Sequence, residues 1–350
     1  MLLNLSLILS FTLITFILII ILYPCYIKLL KKRKAGKTIR DNTATGEKSE
    51  IFKELHQHKA GTPTMGGGLF LIIMLVAIAS SLLLQQRNFI DNSLRNQQET
   101  YIILFWFFSM GLIGLTDDIL NVKNIGKVKG LNMRAKMIGM ILFAGFISYW
   151  FYAKLGIDYI NLRPLAGKIE IWIFFPVLTF LGTIFIVNAI NITDGLDGLA
   201  SGLGAIVLVV LAIVTFMNQT YIATTVLGVA IACLVGFMFF NINPAKIFMG
   251  DSGAFALGGI IATTLFLLNM RIWILIPFLL LFSIFILELS TSGLQIFRKK
   301  VFKKKLFPIA PFHHYLEYRW QKECTIVMKL RLVQGILAIA AIIILFGQYL

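Results

Sequence analysis

Long stretches without any charged residue are the feature that most restricts how this chain can fold. Residues 1–27 contain no Asp, Glu, Lys or Arg, and neither do residues 198–245. A helix that crosses a bilayer needs about 20 apolar residues, so these stretches are long enough for one and two crossings respectively. Hydrophobic residues make up 58% of the 350 residues, more than a soluble domain of this length requires. The pattern predicts an all-α polytopic membrane protein.

Ten apolar runs are long enough to be transmembrane helices, and all but one, which contains Glu288, are free of charged residues. They cover residues 3–27, 66–85, 100–116, 137–153, 171–190, 199–216, 221–240, 254–270, 272–294 and 332–349. Residues 155–170 alternate in polarity and contain a Pro, which predicts a small β-hairpin outside the membrane. The first cation, Lys28, follows the first run, which indicates a retained helix rather than a cleaved signal peptide. We therefore expect residues 1–350 to form a single integral membrane domain.

The distribution of positive charge predicts the orientation of these helices. Twenty-six of the 32 lysines and arginines fall in five connections that share one side if the N-terminus lies outside. These connections are residues 28–65, 117–136, 191–198, 241–253 and 295–331. Because inner loops carry an excess of Lys and Arg, both termini are expected outside and these five loops inside. The net charge of +16 is then mostly a topology signal beside anionic lipid, and no nucleic-acid partner is expected.

Acidic residues gather on the same inner side. Asp117, Asp118, Asp194, Asp197 and Asp251 all fall at inner helix ends or in short inner loops. A carboxylate at the centre of a membrane helix costs roughly 2.5–3.5 kcal/mol on insertion scales, so such residues usually line a wet cavity or bind something. Neighbours on a helix point about 100° apart, so Asp117 and Asp118 are expected to have different roles. For that pair alone, a solvated helix end is the structural alternative.

The segment NAINITDGLDGLA has a regular spacing of polar side chains. Asn188, Asn191, Asp194 and Asp197 recur every three residues, and residues three apart are neighbours on a helix face. The spacing predicts that two amides and two carboxylates converge. Such a set suits recognition of ribose, of an amide or of a phosphate-linked group, or a place behind a metal. A capped helix start is the structural alternative.

Asp251 lies between Gly250 and Gly253, immediately before an apolar run. Backbone N–H groups at a helix start suit a phosphate, but a carboxylate there repels phosphate unless a divalent cation lies between them. Mg²⁺ is the predicted ion, because it takes oxygen ligands and is commonly shared by carboxylates and substrate phosphates. A plain N-cap is the structural alternative.

Two basic segments complete the candidates. In HKAGTPTMGGG, Lys59 and Thr64 precede a glycine run in an order that excludes a Walker loop. Lys59 could pair with phosphate, whereas the glycines could serve helix packing alone. In APFHHYLEY, His313 and His314 suit proton transfer or phosphate contact better than metal binding, with surface exposure as the alternative. The three cysteines have no metal-ligand spacing, and no disulfide is expected.

Five motifs follow one another along nearly the whole chain: GTPTMGG, GLTDD, NAINITDGLDGLA, NPAKIFMGDSG and APFHH. In this order they resemble the polyprenyl-phosphate N-acetylhexosamine-1-phosphate transferase superfamily, and within it the bacterial phospho-N-acetylmuramoyl-pentapeptide-transferases. The resemblance implies ten helices in the bacterial inner membrane, a small periplasmic hairpin, a cytoplasmic active site and a need for Mg²⁺. The implied reaction joins UDP-MurNAc-pentapeptide and undecaprenyl phosphate to give lipid I and UMP.

The resemblance also implies residue roles. By motif position, the catalytic residues are Asp117, Asp118, Asp251 and His313, and the metal ligands are Asp251 and Asp117. The implied substrate-binding residues are Lys59, Thr64, Lys136, Asn188, Asn191, Asp194, Asp197, Asn241, Phe248 and His314. Two positions depart from the family pattern, which usually has a third histidine where this chain has Tyr315 and often has Lys where it has Asn121.

Several alternatives stay open at this point. An enzyme of the same superfamily could use UDP-GlcNAc instead. A transporter is a different class, but it would place ionisable groups near the bilayer midplane, often in repeated halves. A non-catalytic scaffold would not need so many inward-placed carboxylates. The sequence decides neither between direct attack and a phospho-aspartate route nor whether the chain forms a homodimer.

Overall fold

A computed structural model describes residues 2–36, 57–90, 93–94, 98–123, 125, 130–162, 167–319 and 322–347. This part of the chain is mostly helical, with one antiparallel hairpin in which Tyr159 pairs with Glu170. Its helices are α1 (Leu2–Lys32), α2 (Gly68–Gln86), α3 (Gln98–Val122), α4 (Met133–Tyr149), α5 (Phe174–Thr193), α6 (Leu199–Met217), α7 (Tyr221–Asn241), α8 (Gly250–Asn269), α9 (Leu275–Leu281), α10 (Ser283–Phe302), α11 (Phe312–Tyr318) and α12 (Glu323–Phe346). The strands are β1 (Tyr159–Leu162) and β2 (Gly167–Glu170).

The predicted fold class is confirmed. Among the described residues, nine helices are long and apolar enough to cross a membrane. The pair α9 and α10 passes the same test together but is bent by 72°, so the ninth predicted crossing is broken at Phe282. The two-stranded hairpin lies within the segment predicted for it, although the turn at 163–166 is outside the described residues.

Exposed apolar side chains mark the surface of the helices that lipid would cover. On α1, Leu9, Leu13, Ile17 and Ile21 are between 50% and 62% exposed and recur every four residues, which places them along one face of the helix. Tyr23, on α1, is fully buried, on the side that packs against α7. A surface of this kind is stable in a bilayer and would be unfavourable in water.

The central helix is α8, in which every residue from Ser252 to Asn269 is buried. It is crossed closely by α3. A Cβ atom on Gly114 of α3 would lie 2.1 Å from the carbonyl oxygen of Asp251, so the two backbones touch at this point. Asp117 and Asp118 lie one turn further along α3, and the close crossing therefore places them beside the first turn of α8.

Several helices extend beyond their predicted inner ends. α3 continues to Val122, α8 begins at Gly250, and α12 begins at Glu323. A charged residue ends an apolar run but does not end a helix, because the backbone hydrogen bonds continue past the hydrocarbon region. Consequently Asp117 and Asp118 lie inside α3 and Asp251 lies in the first turn of α8. Parts of the predicted inner connections 28–65, 117–136 and 295–331 are outside the described residues.

Candidate functional site

Three carboxylates meet where α3 crosses the start of α8. Asp117, Asp118 and Asp251 each offer one oxygen, and these oxygens lie within 4.8 Å of one another. Asp117 and Asp118 are 4% exposed, whereas the Asp251 side chain is 21% exposed. Three acids this close in a buried position need either a cation or strong hydrogen-bond donors to be stable.

Asp118 obtains its donors from the backbone of α8. Its two oxygens accept hydrogen bonds from the N–H groups of Asp251, at 3.1 Å, and Ser252, at 3.0 Å. The start of a helix leaves such N–H groups without intrahelical partners, so Asp118 caps α8 from a neighbouring helix. Gly250, the residue just before, has a φ of +74°, and a Cβ there would lie 2.6 Å from an Asp118 oxygen. The turn therefore needs glycine.

Asp117 and Asp251 share an ammonium group. The Nζ atom of Lys136 lies 2.7 Å from Asp117 and 2.6 Å from Asp251. Lys136 is in the first turn of α4, whose start is fixed by an Asn132 side chain that accepts a hydrogen bond from the N–H of Ala135. A positive charge thus lies between two of the three carboxylates whose oxygens are close enough together to hold a metal ion.

Asn191 joins the same cluster from α5. Its side-chain amide donates a 2.9 Å hydrogen bond to Asp251. Asn188, one turn earlier, instead donates to the carbonyl of Ile184 at 2.7 Å. The predicted convergence of all four polar side chains of residues 188–197 is wrong, because α5 ends at Thr193 and the helical spacing does not continue. Asp194 follows as the half-buried C-cap residue.

Asp197 belongs to a second buried cluster. Lys59 Nζ lies 2.9 Å from Asp197 and 2.5 Å from Glu323 at the start of α12. Asn243 donates to both carboxylates at 3.1 Å, and the N–H of Ala245 donates to Asp197 at 3.0 Å. Burial lowers the pKa of the Lys59 ammonium, but the charges of Glu323 and Asp197 and their hydrogen bonds outweigh this effect, so its pKa is raised. Lys59 is therefore a firmly charged, internally paired residue.

Three more predicted site residues lie on the connections around this cluster. Asn241 is 2% exposed; it accepts from the N–H of Gly198 at 3.0 Å and donates to the carbonyl of Ile247 at 2.9 Å. Phe248 is half-buried, and its backbone accepts from Gly66 and donates to Pro63. Thr64 is 9% exposed.

The two histidines are each paired with a glutamate. His313 and Glu288 are both 0% exposed, and His313 Nδ1 lies 2.9 Å from Glu288. His314 Nδ1 lies 2.6 Å from Glu317, one turn along α11. The sequence reasoning missed Glu323, Glu317 and Asn243 as partners of site residues and assigned no role to Glu288. The small number of acidic residues could have indicated these pairs. The chain has only 16 Asp and Glu, and each one in or beside an apolar run needs a hydrogen-bond or charge partner.

The sequence matches known protein families and relatives over most of its length. The family model described as glycosyl transferase family 4 matches residues 100–269, and the signature described as phospho-N-acetylmuramoyl-pentapeptide-transferase signature 1 matches residues 59–71. The phospho-N-acetylmuramoyl-pentapeptide-transferase of Clostridium botulinum (strain Eklund 17B / Type B) is 34% identical over 97% of this chain and 96% of its own length. The protein of the same description from Clostridium beijerinckii is 34% identical over 94% of this chain and 94% of its own length. The one from Staphylococcus haemolyticus is also 34% identical, over 93% of this chain and 95% of its own length.

Proposed function

The chain belongs to the phospho-N-acetylmuramoyl-pentapeptide-transferase family, and from this premise we infer that it is a membrane-bound transferase that makes lipid I. It transfers phospho-MurNAc-pentapeptide from UDP-MurNAc-pentapeptide to undecaprenyl phosphate. A lipid phosphate oxygen forms a bond to the sugar-linked phosphorus, the bond from that phosphorus to the UMP oxygen breaks, and UMP leaves. The observation that carries this proposal is the meeting of Asp117, Asp118 and Asp251 beside Lys136.

The residues of the cluster fit a divalent cation. The donors are carboxylate oxygens, which Mg²⁺ prefers, and Lys136 already lies between two of them as a cation. Asp251 and Asp117 would hold the ion, because each has one oxygen on the Lys136 ammonium, whereas both oxygens of Asp118 accept from backbone N–H groups of α8. When bound, Mg²⁺ neutralises charge on the phosphates.

The other residues of the cluster position its charged side chains and neutralise the charge of the substrates. Asn191 fixes one oxygen of Asp251 and leaves the other directed at Lys136. Lys136 supplies a positive charge where two anionic substrates must approach each other, and its reach to both carboxylates keeps it in place. Asp117, with its other oxygen on the N–H of Leu131 at 2.7 Å, is suited to orient Lys136 or to accept a proton. A lipid phosphate is already largely ionised near neutral pH, so direct attack needs no strong base.

The nucleotide would lie against the connections that surround Lys59. We assign Thr64, Asn188, Asp194, Phe248 and His314 to the lining of that pocket. Lys59, Asp197 and Asn241 hold the same connections together from inside, because their polar groups are already paired and buried. Their substitution should therefore disturb nucleotide binding through the shape of the pocket.

The site is proposed to face the cytoplasm of a bacterial inner membrane. The support is the charge distribution, since 26 of the 32 lysines and arginines lie in the five connections on the same predicted side as the acidic cluster and inner loops are enriched in Lys and Arg.

The test is UMP release by the purified full-length protein in detergent. Undecaprenyl phosphate is supplied with either UDP-MurNAc-pentapeptide or UDP-GlcNAc, and lipid I is followed by mass. We expect release only with the first donor, loss of release on chelation of Mg²⁺, and its return when Mg²⁺ is added back. Release with UDP-GlcNAc alone would refute the donor assignment, and full activity in excess chelator would refute the role of the metal.

A further inference from the structure

Glu288 and His313 form a buried pair outside the carboxylate cluster. Glu288 lies on α10 and His313 in the first turn of α11, and neither side chain is exposed. One oxygen of Glu288 is 2.9 Å from His313 Nδ1 and also accepts the backbone N–H of His313 at 3.3 Å. A single carboxylate therefore fixes both the imidazole ring and the start of the short helix that carries it.

The other nitrogen of the ring faces the connection between α5 and α6. Within the described part of the chain, His313 Nε2 is buried and has no hydrogen-bond partner. A Cβ on Gly195 would lie 2.2 Å from this atom, so only glycine leaves room for the ring. Gly195 directly follows Asp194, the C-cap residue of α5. Asn191, in the last turn of α5, contacts Asp251. The free nitrogen thus points at the segment that joins the two clusters.

Stability alone does not account for this arrangement. Replacing a buried ionic pair by well-packed apolar residues is often neutral or stabilising, and buried polar atoms are nearly always paired when their role is structural. Here both Nε2 of His313 and the second oxygen of Glu288 lack hydrogen-bond partners among the residues that the structure describes. A carboxylate on one ring nitrogen, with the other nitrogen free, is the usual way in which proteins orient a functional histidine.

We propose that Glu288 is a positioning residue for the transfer reaction, acting through His313. It holds the ring with Nε2 toward residues 194–198, the connection that carries Asp194 and Asp197. The inference rests on the proposed function, because the reaction is where the effect is measured.

The activity test compares Glu288→Gln with Thr291→Val, which removes a hydroxyl one turn along α10 that bonds only to α10 carbonyls. We expect kcat for UMP release to fall about 10- to 100-fold in Glu288→Gln, with KM for the donor changed by less than about threefold, and Thr291→Val to behave as wild type. In a His313→Gln background the Glu288→Gln change should have no further effect.

A second readout does not need activity. The chain has only four histidines, so ¹⁵N-histidine NMR can identify His313 by its absence in His313→Gln. We expect the ring nitrogens of His313 to shift in Glu288→Gln and to stay in place in Thr291→Val. If Glu288→Gln does not fold, Glu288→Asp is used instead. It keeps the negative charge but moves the carboxylate away from the His313 ring, and kcat of this variant should fall by about tenfold.

The outcomes separate the two proposals. A wild-type protein that releases no UMP refutes the proposed function. A wild type that releases UMP, with undiminished kcat in the folded Glu288 variant, refutes only the role of Glu288. An equal loss with and without His313 also refutes it, since Glu288 would then act by another route.

Discussion

The side chain of Asp118 accepts a hydrogen bond of 3.1 Å from the backbone N–H of Asp251. This contact joins α3 to the first turn of α8, and a second one from Ser252 strengthens it. Asp117, the residue just before Asp118 on α3, instead contacts Lys136. The two adjacent acids therefore have different partners, as their angular separation on a helix predicts: Asp118 accepts from the backbone of α8, and Asp117 pairs with Lys136.

Asparagine substitution should separate these two roles. In Asp118→Asn, one carboxylate oxygen becomes an amide that cannot accept from an α8 N–H, so we expect activity to be lost together with about 1–2 kcal/mol of stability, as for a lost helix cap. Asp117→Asn should lose activity with a smaller change in thermal unfolding. Tryptophan fluorescence melts in detergent, run beside UMP release, measure both effects. Equal melting temperatures for the two variants would contradict the assignment.

Lys136 should compete with the metal while assisting the reaction. In Lys136→Gln the cluster loses a positive charge that lies within 2.7 Å of two of its acids. Mn²⁺, used as a probe for Mg²⁺, should then bind about tenfold more tightly, because each 1.4 kcal/mol of added attraction is tenfold in affinity. Activity should fall, because the phosphates lose a neutralising charge.

Mn²⁺ binding is measured by electron paramagnetic resonance on the purified protein. The control is Lys154→Gln, which removes an exposed lysine five residues beyond the end of α4 and should leave both affinity and activity unchanged. Weaker Mn²⁺ binding in Lys136→Gln would show that Lys136 supports the metal site instead of competing with it.

The Lys59 cluster should respond asymmetrically to the loss of its members. It contains one cation and two carboxylates, so Lys59→Met leaves Asp197 and Glu323 buried without compensation, at a cost of about 3–5 kcal/mol. Glu323→Gln leaves the 2.9 Å pair of Lys59 and Asp197 intact and should cost about 1 kcal/mol. Thermal melts of both variants test this, and equal destabilisation would contradict it.

The pH dependence of the same cluster follows from the raised pKa of Lys59. A raised lysine pKa contributes stability that is complete below the unfolded value of about 10.4 and is lost as the pH rises through the folded value. The difference in melting temperature between wild type and Lys59→Met should therefore be constant between about pH 6 and 9 and shrink above about pH 10. A difference that shrinks already between pH 6 and 9 would contradict the raised pKa.

Much of this architecture was predictable from the sequence, because hydrocarbon thickness sets helix length. The membrane crossings follow from runs of apolar residues, and the hairpin follows from alternating polarity. The meeting of Asp117 and Asp251 follows from the gathering of acidic residues on the predicted inner side. The partners of single side chains did not follow. Lys59 meets Glu323 from the other end of the chain, and no local pattern encodes such a pair. Local spacing also misled at residues 188–197, since a helix end at Thr193 redirects every side chain beyond it.

The close crossing of α3 and α8 should be essential for assembling the carboxylates. A methyl group on Gly114 would lie 2.1 Å from the Asp251 carbonyl oxygen, and neither backbone can yield without moving the helices apart. Gly114→Ala should therefore separate Asp118 from the start of α8, destabilise the protein by about 1–3 kcal/mol, as overpacking does, and reduce UMP release and Mn²⁺ affinity together.

The matched control is Gly145→Ala on α4, where a Cβ would meet no described atom within 4 Å apart from the backbone of its own helix. Both changes replace glycine by alanine inside a membrane helix, so they share the gain of about 1 kcal/mol in helix propensity and differ only in what the methyl group contacts. Gly145→Ala should keep full activity and melt no lower than wild type. If Gly114→Ala behaved in the same way, Asp117 and Asp118 would not depend on backbone contact between α3 and α8 for their place beside Asp251.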